Sequence, residues 1–310
     1  MGVKGMSRFR SEKRQEFFHE IELIAGDSSN LSLFSYATLA GARVAMLSES
    51  DRPKKKRIFL ERICRMSCGS LHHVKAYIRD VKEALLVNGF QVKECRIVSV
   101  ARGLVGTGEA FGKALFEIGL AFDPLLNVPL IPASSLKGAF RHALRRRFDE
   151  SAAERVFGGA QEGMGLVGVT DAYPVRARGR LLEPDILAPH YPETEQLETE
   201  LDVEPNPVPF PTIAPGVEFV FYIYFNKGLP AALDERRKLR VTRELAGKGA
   251  GFEIFEGDLA EALKNVSGKV HPDLIPIVDC AVIYALTQGV GAKTSVGYTR
   301  FKLLEYRSVT

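Results

Sequence analysis

At 310 residues, with 45% hydrophobic and 26% charged side chains, the chain can bury a full core as one elaborated domain or two small ones. No apolar run is long enough to cross a bilayer and no apolar signal segment follows the basic start, so a soluble, cytoplasmic protein is expected. A formal net charge of +4 is too small to name a polyanion partner by itself, and the distribution of charge has to decide.

Residues 1–90 read as a mainly helical region packed on a core spanning 91–310. FSYATLAGARVAML, KKKRIFLERICRMS and HHVKAYIRDVKEALLVNG carry apolar residues three and four apart. Asn88-Gly89 supplies a helix stop. Cys64, Cys68 and His72 fall at successive four-residue steps, with His73 alongside, and raise the question of a metal. Zinc usually takes close ligand pairs from a turn or hairpin, and Gly69 interrupts a helix here. A half-buried helical face is therefore the preferred reading, with the metal as its alternative. With Cys95 and Cys280 they make four cysteines, too few for a disulfide framework in a chain of this length, so reduced thiols are expected.

VKECRIVSVARGLV alternates and is rich in β-branched residues, which predicts a strand, and ALFEIGLAF predicts a second after a glycine-rich bend. LIPASSLKGAFRHALRRRF then reads as a helix, GLVGVTDAYPV and GVEFVFYIYF as strands, IPIVDCAVIYALTQG as a buried helix and YTRFKLLEY as a last strand. With the extra hairpin strand set aside, Val92 to Tyr306 gives strand, helix, strand, strand, helix, strand. That is the βαββαβ order of a ferredoxin-like, RNA-recognition-type core, an α+β fold. Between its second and third strands, Glu183 to Gly216 holds eight acidic residues, eight prolines and no lysine or arginine. Such a segment is expected to lie over the surface as an extended insertion without a core of its own. It is either a solubilising loop or a docking surface for a basic partner.

In the first helix of this core, Ser134 or Ser135 is expected as the cap and Pro132 keeps the preceding residue extended. Leu136, Phe140, Ala143, Leu144 and Phe148 make a buried stripe, while Lys137, Arg141 and Arg145 recur every four residues on another face. Arg145 to Arg147 suit the negative end of the helix dipole, but Lys137 and Arg141 stand near its positive end with no acid before Asp149. They call for an outside anion. Free backbone N–H groups, serine hydroxyls and cations at a helix start form a phosphate site, and Gly138 lets a ligand approach. A solvated basic face is the alternative.

QGVGAKTSVGYTRF is a second glycine-rich element. It departs from a nucleotide-binding P-loop because Ala292 precedes the lysine, so no nucleotide cofactor is expected. Gly291 frees the backbone, Lys293, Thr294 and Ser295 are phosphate donors, and Tyr298 and Arg300 lead into the last strand. This combination suits single-stranded RNA, whose backbone follows a cationic groove while bases stack. Considered alone, the loop could be only a tight connection.

GLVGTGEAFGKALFEIGLAFDPLLNVPLIPASSLKGAFRHALRR, VFGG with GLVGVTDAYP, LLEPDILAPHY, PNPVPFPTIAPGVEF and GVGAKTSVGYTRF resemble, in that order, the RAMP superfamily of CRISPR-associated proteins. DAYP and DILAPHY narrow the resemblance to the sixth-subunit family of the Cmr, type III-B, effector complexes. Ala133 and Thr299 stand where the family often has glycine. The resemblance implies a non-catalytic, antiviral subunit that holds CRISPR RNA near its 3′ end through backbone contacts. It implies CRISPR RNA, target RNA and other RAMP subunits as partners, with no cofactor and no membrane. His190, in APHY, is a candidate RNA contact. The competing reading is a metal-independent endoribonuclease in which His190 and Lys293 act on the RNA 2′-hydroxyl, although no positioned partner for His190 is evident.

Overall fold

The computed structural model describes residues 30–31, 52–66, 70–109, 111, 116–147, 150–159, 163–187, 207–226 and 276–309. In chain order the elements used below are α1 (Arg52–Met66), α2 (His72–Val87), β1 (Phe90–Ser99), β2 (Phe122–Asp123), β3 (Val128–Pro129), α3 (Ala133–Arg147), α4 (Glu150–Phe157), β4 (Gly158–Gly159), β5 (Gly163–Met164), β6 (Val167–Val169), β7 (Tyr173–Arg176), β8 (Leu182–Leu187), β9 (Val208–Ile213), β10 (Glu218–Asn226), α5 (Pro276–Gln288) and β11 (Phe301–Val309). This is a mixed helix-and-sheet protein whose registered strand pairs are all antiparallel. No helix among the described residues is long and apolar enough to cross a membrane.

The chain divides into two compact units. One comprises Met1–Gly69, Thr107–Pro129 and Gly179–Thr212, the other Ser70–Gly106, Leu130–Arg178 and Ile213–Thr310. In the first, α1 buries Leu60, Ile63 and Cys64, spaced three and four apart, and packs on β8. Burial pushes the Cys64 thiol up to about 12. The expected strand over ALFEIGLAF does not form. Among its described residues Phe116 is helical, Glu117 takes a φ of 69°, and the extended pair is Phe122–Asp123, matched with β3. Phe111 stacks on Phe122 with ring centroids 4.0 Å apart, and Leu120 N–H donates to the Phe111 carbonyl at 3.0 Å, contacts that a continuous strand through Phe122 would not make.

The acidic, proline-rich segment also departs from expectation at its ends, which pair as β8 and β9 and bury Leu182 and Phe210. Thr212 Oγ1 donates to the Glu183 carbonyl at 2.9 Å. Pro209 and Pro211 are two residues apart, so their missing N–H groups lie on one edge of β9, which a two-stranded sheet accommodates. Residues 188–206, including His190 and the acids from Glu193 to Glu204, lie outside the described residues, as do Cys68 and Phe148.

The second unit is built on a sheet ordered β11-β1-β10-β6, with β7 also paired to β10. The expected single strand over GLVGVTDAYPV is broken into β6 and β7 at Thr170–Ala172. Thr170 explains the break: its N–H donates to the Tyr222 carbonyl at 2.9 Å, and its hydroxyl accepts from the Tyr222 N–H at 2.9 Å, taking over one rung of the ladder. Strand alternation then sorts β10 by face. Phe219, Phe221 and Ile223 lie opposite Ile97, Cys95 and Lys93 and turn toward α3 and α5, with the Phe140 and Phe221 rings stacked at 6.1 Å. Val220, Tyr222 and Tyr224 lie opposite Arg96, Glu94 and Val92 and turn toward α2.

The helix-covered face contains a charge that composition does not announce. Lys93 is 2% exposed, and its Nζ reaches both carboxylate oxygens of Asp279 on α5 at 3.1 Å. Tyr306 on β11 donates its hydroxyl to the same carboxylate. Burial raises the Asp279 carboxyl above its ordinary value, while Lys93 and the Tyr306 hydrogen bond act against that shift. Asn88 and Gly89, with φ of 82° at the glycine, end α2 as expected.

Candidate nucleic-acid interface

The serine-lysine-glycine helix is positioned from both ends of its entry. Ile131 and Ala172 exchange backbone hydrogen bonds at 3.0 and 2.9 Å, which fixes the chain before the first turn. The helix starts at Ala133, so Ser134 and Ser135 sit inside the first turn rather than at the cap. The cap is Asp171, whose Oδ1 accepts from the Ala133 N–H at 2.6 Å. An internal carboxylate thus occupies one position at the positive end of the helix, where an outside anion was expected.

Leu136, Phe140, Ala143 and Leu144 are buried as the stripe predicts, and α3 packs on α5 and α4. Ser134 and Gly138 are exposed, Ser135 and Lys137 half-buried, and Arg145 exposed. Arg141 departs from expectation. Its Nη2 lies 3.1 Å from both Glu150 Oε1 and Glu154 Oε1 on α4, and Arg145 Nε lies 3.5 Å from Glu150 Oε2. The need for an external anion at Arg141 is therefore corrected: α4 folds back on α3 and brings two carboxylates that lie 9 and 13 residues away in sequence. Lys137 remains the cation of the first turns with no acidic partner among the described residues.

The C-terminal glycine loop is held in a defined backbone path by left-handed residues and hydrogen bonds to the segment after β1. Gly289, Gly291 and Gly297 take φ of 108°, 114° and 92°, and Lys293 and Thr299 also lie in the left-handed region at 58° and 54°. At Gly291 the need for glycine is twofold, because a Cβ would lie 2.6 Å from the Leu104 carbonyl oxygen. The loop is pinned to the chain after β1. Ala292 N–H donates to Leu104 O at 2.8 Å, Thr299 N–H to Arg102 O at 2.8 Å, and Thr299 Oγ1 accepts from Leu104 N–H at 2.9 Å. Lys293 Nζ sits 4.9 Å from the Tyr298 ring centroid, and Thr294 to Val296 form a single 3₁₀ turn with Ser295 exposed. Arg300 is exposed at the entrance to β11.

Sequence reasoning missed Asp171, Glu150, Glu154 and Thr299. Asp171 had a local signal, an acid between a β-branched strand end and the aromatic-proline pair of DAYP. The glutamates had none, since only the reversal between α3 and α4 brings them to Arg141. Cys64 is buried, and among the described residues no group of three or more potential ligands could hold a metal ion.

The RAMP superfamily model matches residues 103–302, a span that includes both the helix and the glycine loop. The CRISPR system CMR subunit Cmr6 of Saccharolobus solfataricus is 30% identical over 284 residues, covering 89% of this chain and 81% of that protein. A chain in a cryo-EM structure of the type III-B Cmr-β bound to cognate target RNA superposes with a TM-score of 0.61 and 30% identity, covering 84% of this chain and 75% of that one. The crystal structure of Cmr6 from Pyrococcus furiosus is more distant, at 19% identity and a TM-score of 0.37, covering 71% of this chain and 100% of that one.

Proposed function

The chain belongs to the RAMP superfamily and resembles its Cmr6 subunits along most of its length, and on that premise we propose that it is an RNA-binding structural subunit of a type III-B CRISPR effector. It holds CRISPR RNA near its 3′ end, beside other RAMP subunits and target RNA, in the cytoplasm. The observation that carries this reading is the 30% identity to a Cmr6 subunit across 81% of that protein. The sheet order β11-β1-β10, with β6 and β7 on the far side of β10, supports a ferredoxin-like core whose second strand is interrupted.

Within that core the contacts proposed for RNA are the first turns of α3, with exposed Ser134 and Gly138 and half-buried Ser135 and Lys137, and the loop with Gly291, Lys293, Thr294, Ser295, Tyr298 and Arg300. Arg141 and Arg145 contribute less, because Glu150 and Glu154 already engage them. Such groups read phosphate, sugar and ring faces rather than base edges, so the grip is independent of spacer sequence. His190 is an RNA contact on this reading and not a catalyst.

The test is reconstitution with labelled CRISPR RNA. Lys137→Glu and Lys293→Glu should weaken RNA retention to the same degree for the native spacer and for a scrambled one. A strong preference for one spacer would overturn the backbone reading. Cleavage of repeat RNA in the absence of divalent ions, lost in His190→Ala, would replace the structural role with an enzymatic one.

A further inference from the structure

The face of the sheet opposite α3 and α5 holds a cavity of about 250 Å³ between α2 and strands β6, β7 and β10. Four tyrosines, Tyr77, Tyr173, Tyr222 and Tyr224, line it together with Asp171. The sequence marks none of this as a site. Tyr77 and Tyr173 meet edge to face with centroids 5.2 Å apart, and Tyr224 is held the same way by Phe90 at 5.2 Å. Gly168 opposite Tyr224 leaves space for its ring, since a Cβ there would collide with it.

The polar groups of this cavity are acceptors in excess. Asp171 gives one carboxylate oxygen to Ala133 N–H, and its second oxygen accepts nothing among the described residues. The hydroxyls of Tyr77, Tyr222 and Tyr224 also make no hydrogen bond among the described residues. No lysine, arginine or histidine lines the space. Aromatic rings around a carboxylate attract an organic cation, most strongly where water is displaced. They repel a phosphate; Arg96 and Arg307 act on Tyr222 from the same face but do not line the space, and Arg307 is paired with Glu94. The volume falls below the ~300 Å³ at which pockets for drug-sized ligands begin, so it suits one side chain better than a nucleotide.

We propose that this cavity receives a single arginine side chain from a neighbouring protein subunit, its guanidinium stacked among the tyrosine rings and hydrogen-bonded to the Asp171 carboxylate. A planar guanidinium can stack on a ring and donate to carboxylate and phenol oxygens at once, which an ammonium cannot do. Only the source of the side chain rests on the reading of the chain as a subunit of an assembly; the chemistry of the cavity does not. Because Asp171 also caps α3, an arginine bound here shares its carboxylate with the start of the helix proposed to hold RNA.

The isolated chain tests the idea without RNA or partners. The sequence has nine tyrosines and no tryptophan, and four of the nine line the cavity, so tyrosine emission responds to its occupancy. Titration with N-acetyl-arginine-methylamide should give a saturable change. The neutral citrulline analogue and Asp171→Asn should each weaken binding by about tenfold, the asparagine still accepting from Ala133 N–H. Tyr77→Ala, at a ring 42% exposed, should weaken binding with the thermal unfolding midpoint little changed. No saturation with the arginine probe, wild-type binding in both variants, or tighter binding of adenosine than of arginine would each overturn the proposal. Loss of RNA retention in the assembly alone would leave these titrations unaffected, so the two readings fail separately.

Discussion

The two faces of the central sheet are made by alternate residues of the same strands, yet they handle polarity in opposite ways. On the face under α3 and α5, β10 presents Phe219, Phe221 and Ile223, and the one charge admitted, Lys93, is met by Asp279 and Tyr306. On the face toward α2, β10 presents Tyr222 and Tyr224, and their hydroxyls stay unengaged among the described residues. Glu94 on that face pairs with a half-exposed Arg307 at 3.1 Å. A face packed solid under its helices requires each polar group to be satisfied internally, whereas one that keeps a cavity under its helix can leave that to a ligand or water. The contrast separates residues that hold the fold from residues available for recognition.

The largest expected effect lies on the closed face. Lys93→Met or Asp279→Asn alone should cost about 3–5 kcal/mol by denaturant unfolding, because each strands a buried charge or its partner. The double variant Lys93→Met/Asp279→Leu should recover most of that loss. If the singles and the double lose equally, the cluster acts by packing and not by charge pairing.

A smaller loss is expected at the boundary of the faces. Asp171→Ala removes the cap of α3 and should cost about 1 kcal/mol, with Asp171→Asn closer to wild type. At the start of α3, Lys137→Gln should lower the salt slope of RNA binding by about 0.7 for one lost single-strand phosphate contact. Arg141→Gln should change the slope less, since its charge is already balanced by Glu150 and Glu154. Equal slopes for the two variants would mean that RNA displaces the glutamates. On the cavity face, Tyr222→Phe and Tyr224→Phe should stay within about 0.5 kcal/mol of wild type, because no folded-state hydrogen bond is lost.

The smallest effect concerns thiols. Burial raises Cys64 to about 12 and Cys95 well above its usual value, so neither should react with a thiol reagent at pH 8 in native protein lacking the other two cysteines. Rapid labelling at either position would show that the surrounding core opens locally.

Periodicity made the regular elements legible where one face is buried. α2, the buried stripe of α3, α5, β10 and β11 follow from apolar spacing and alternation, and the glycine loop follows from its glycines. What escaped was set by contacts distant in sequence. ALFEIGLAF alternates like a strand, but the stacking of Phe111 on Phe122 decides its path. GLVGVTDAYPV reads as one strand because Thr170 has a β-former's side chain, and only its exchange with Tyr222 shows that it interrupts the ladder. The basic helix looked unbalanced because its acids come from the next helix. Lys93 and Tyr222 occupy adjacent strands on opposite faces, and neither announces its surroundings in the residues beside it.

The three residues from Thr170 to Ala172 form a linker whose length matters more than its composition. Thr170 is tied to β10, Asp171 to the first residue of α3, and Ala172 to Ile131. An inserted or deleted residue there would throw two alignments out of phase together, the sheet edge and the helix entry, so repairing one would misplace the other. Side-chain replacement at these positions is a local matter by comparison. In a library of insertions and deletions scored for folding, this short span should tolerate length change far less than its position between two small strands would suggest.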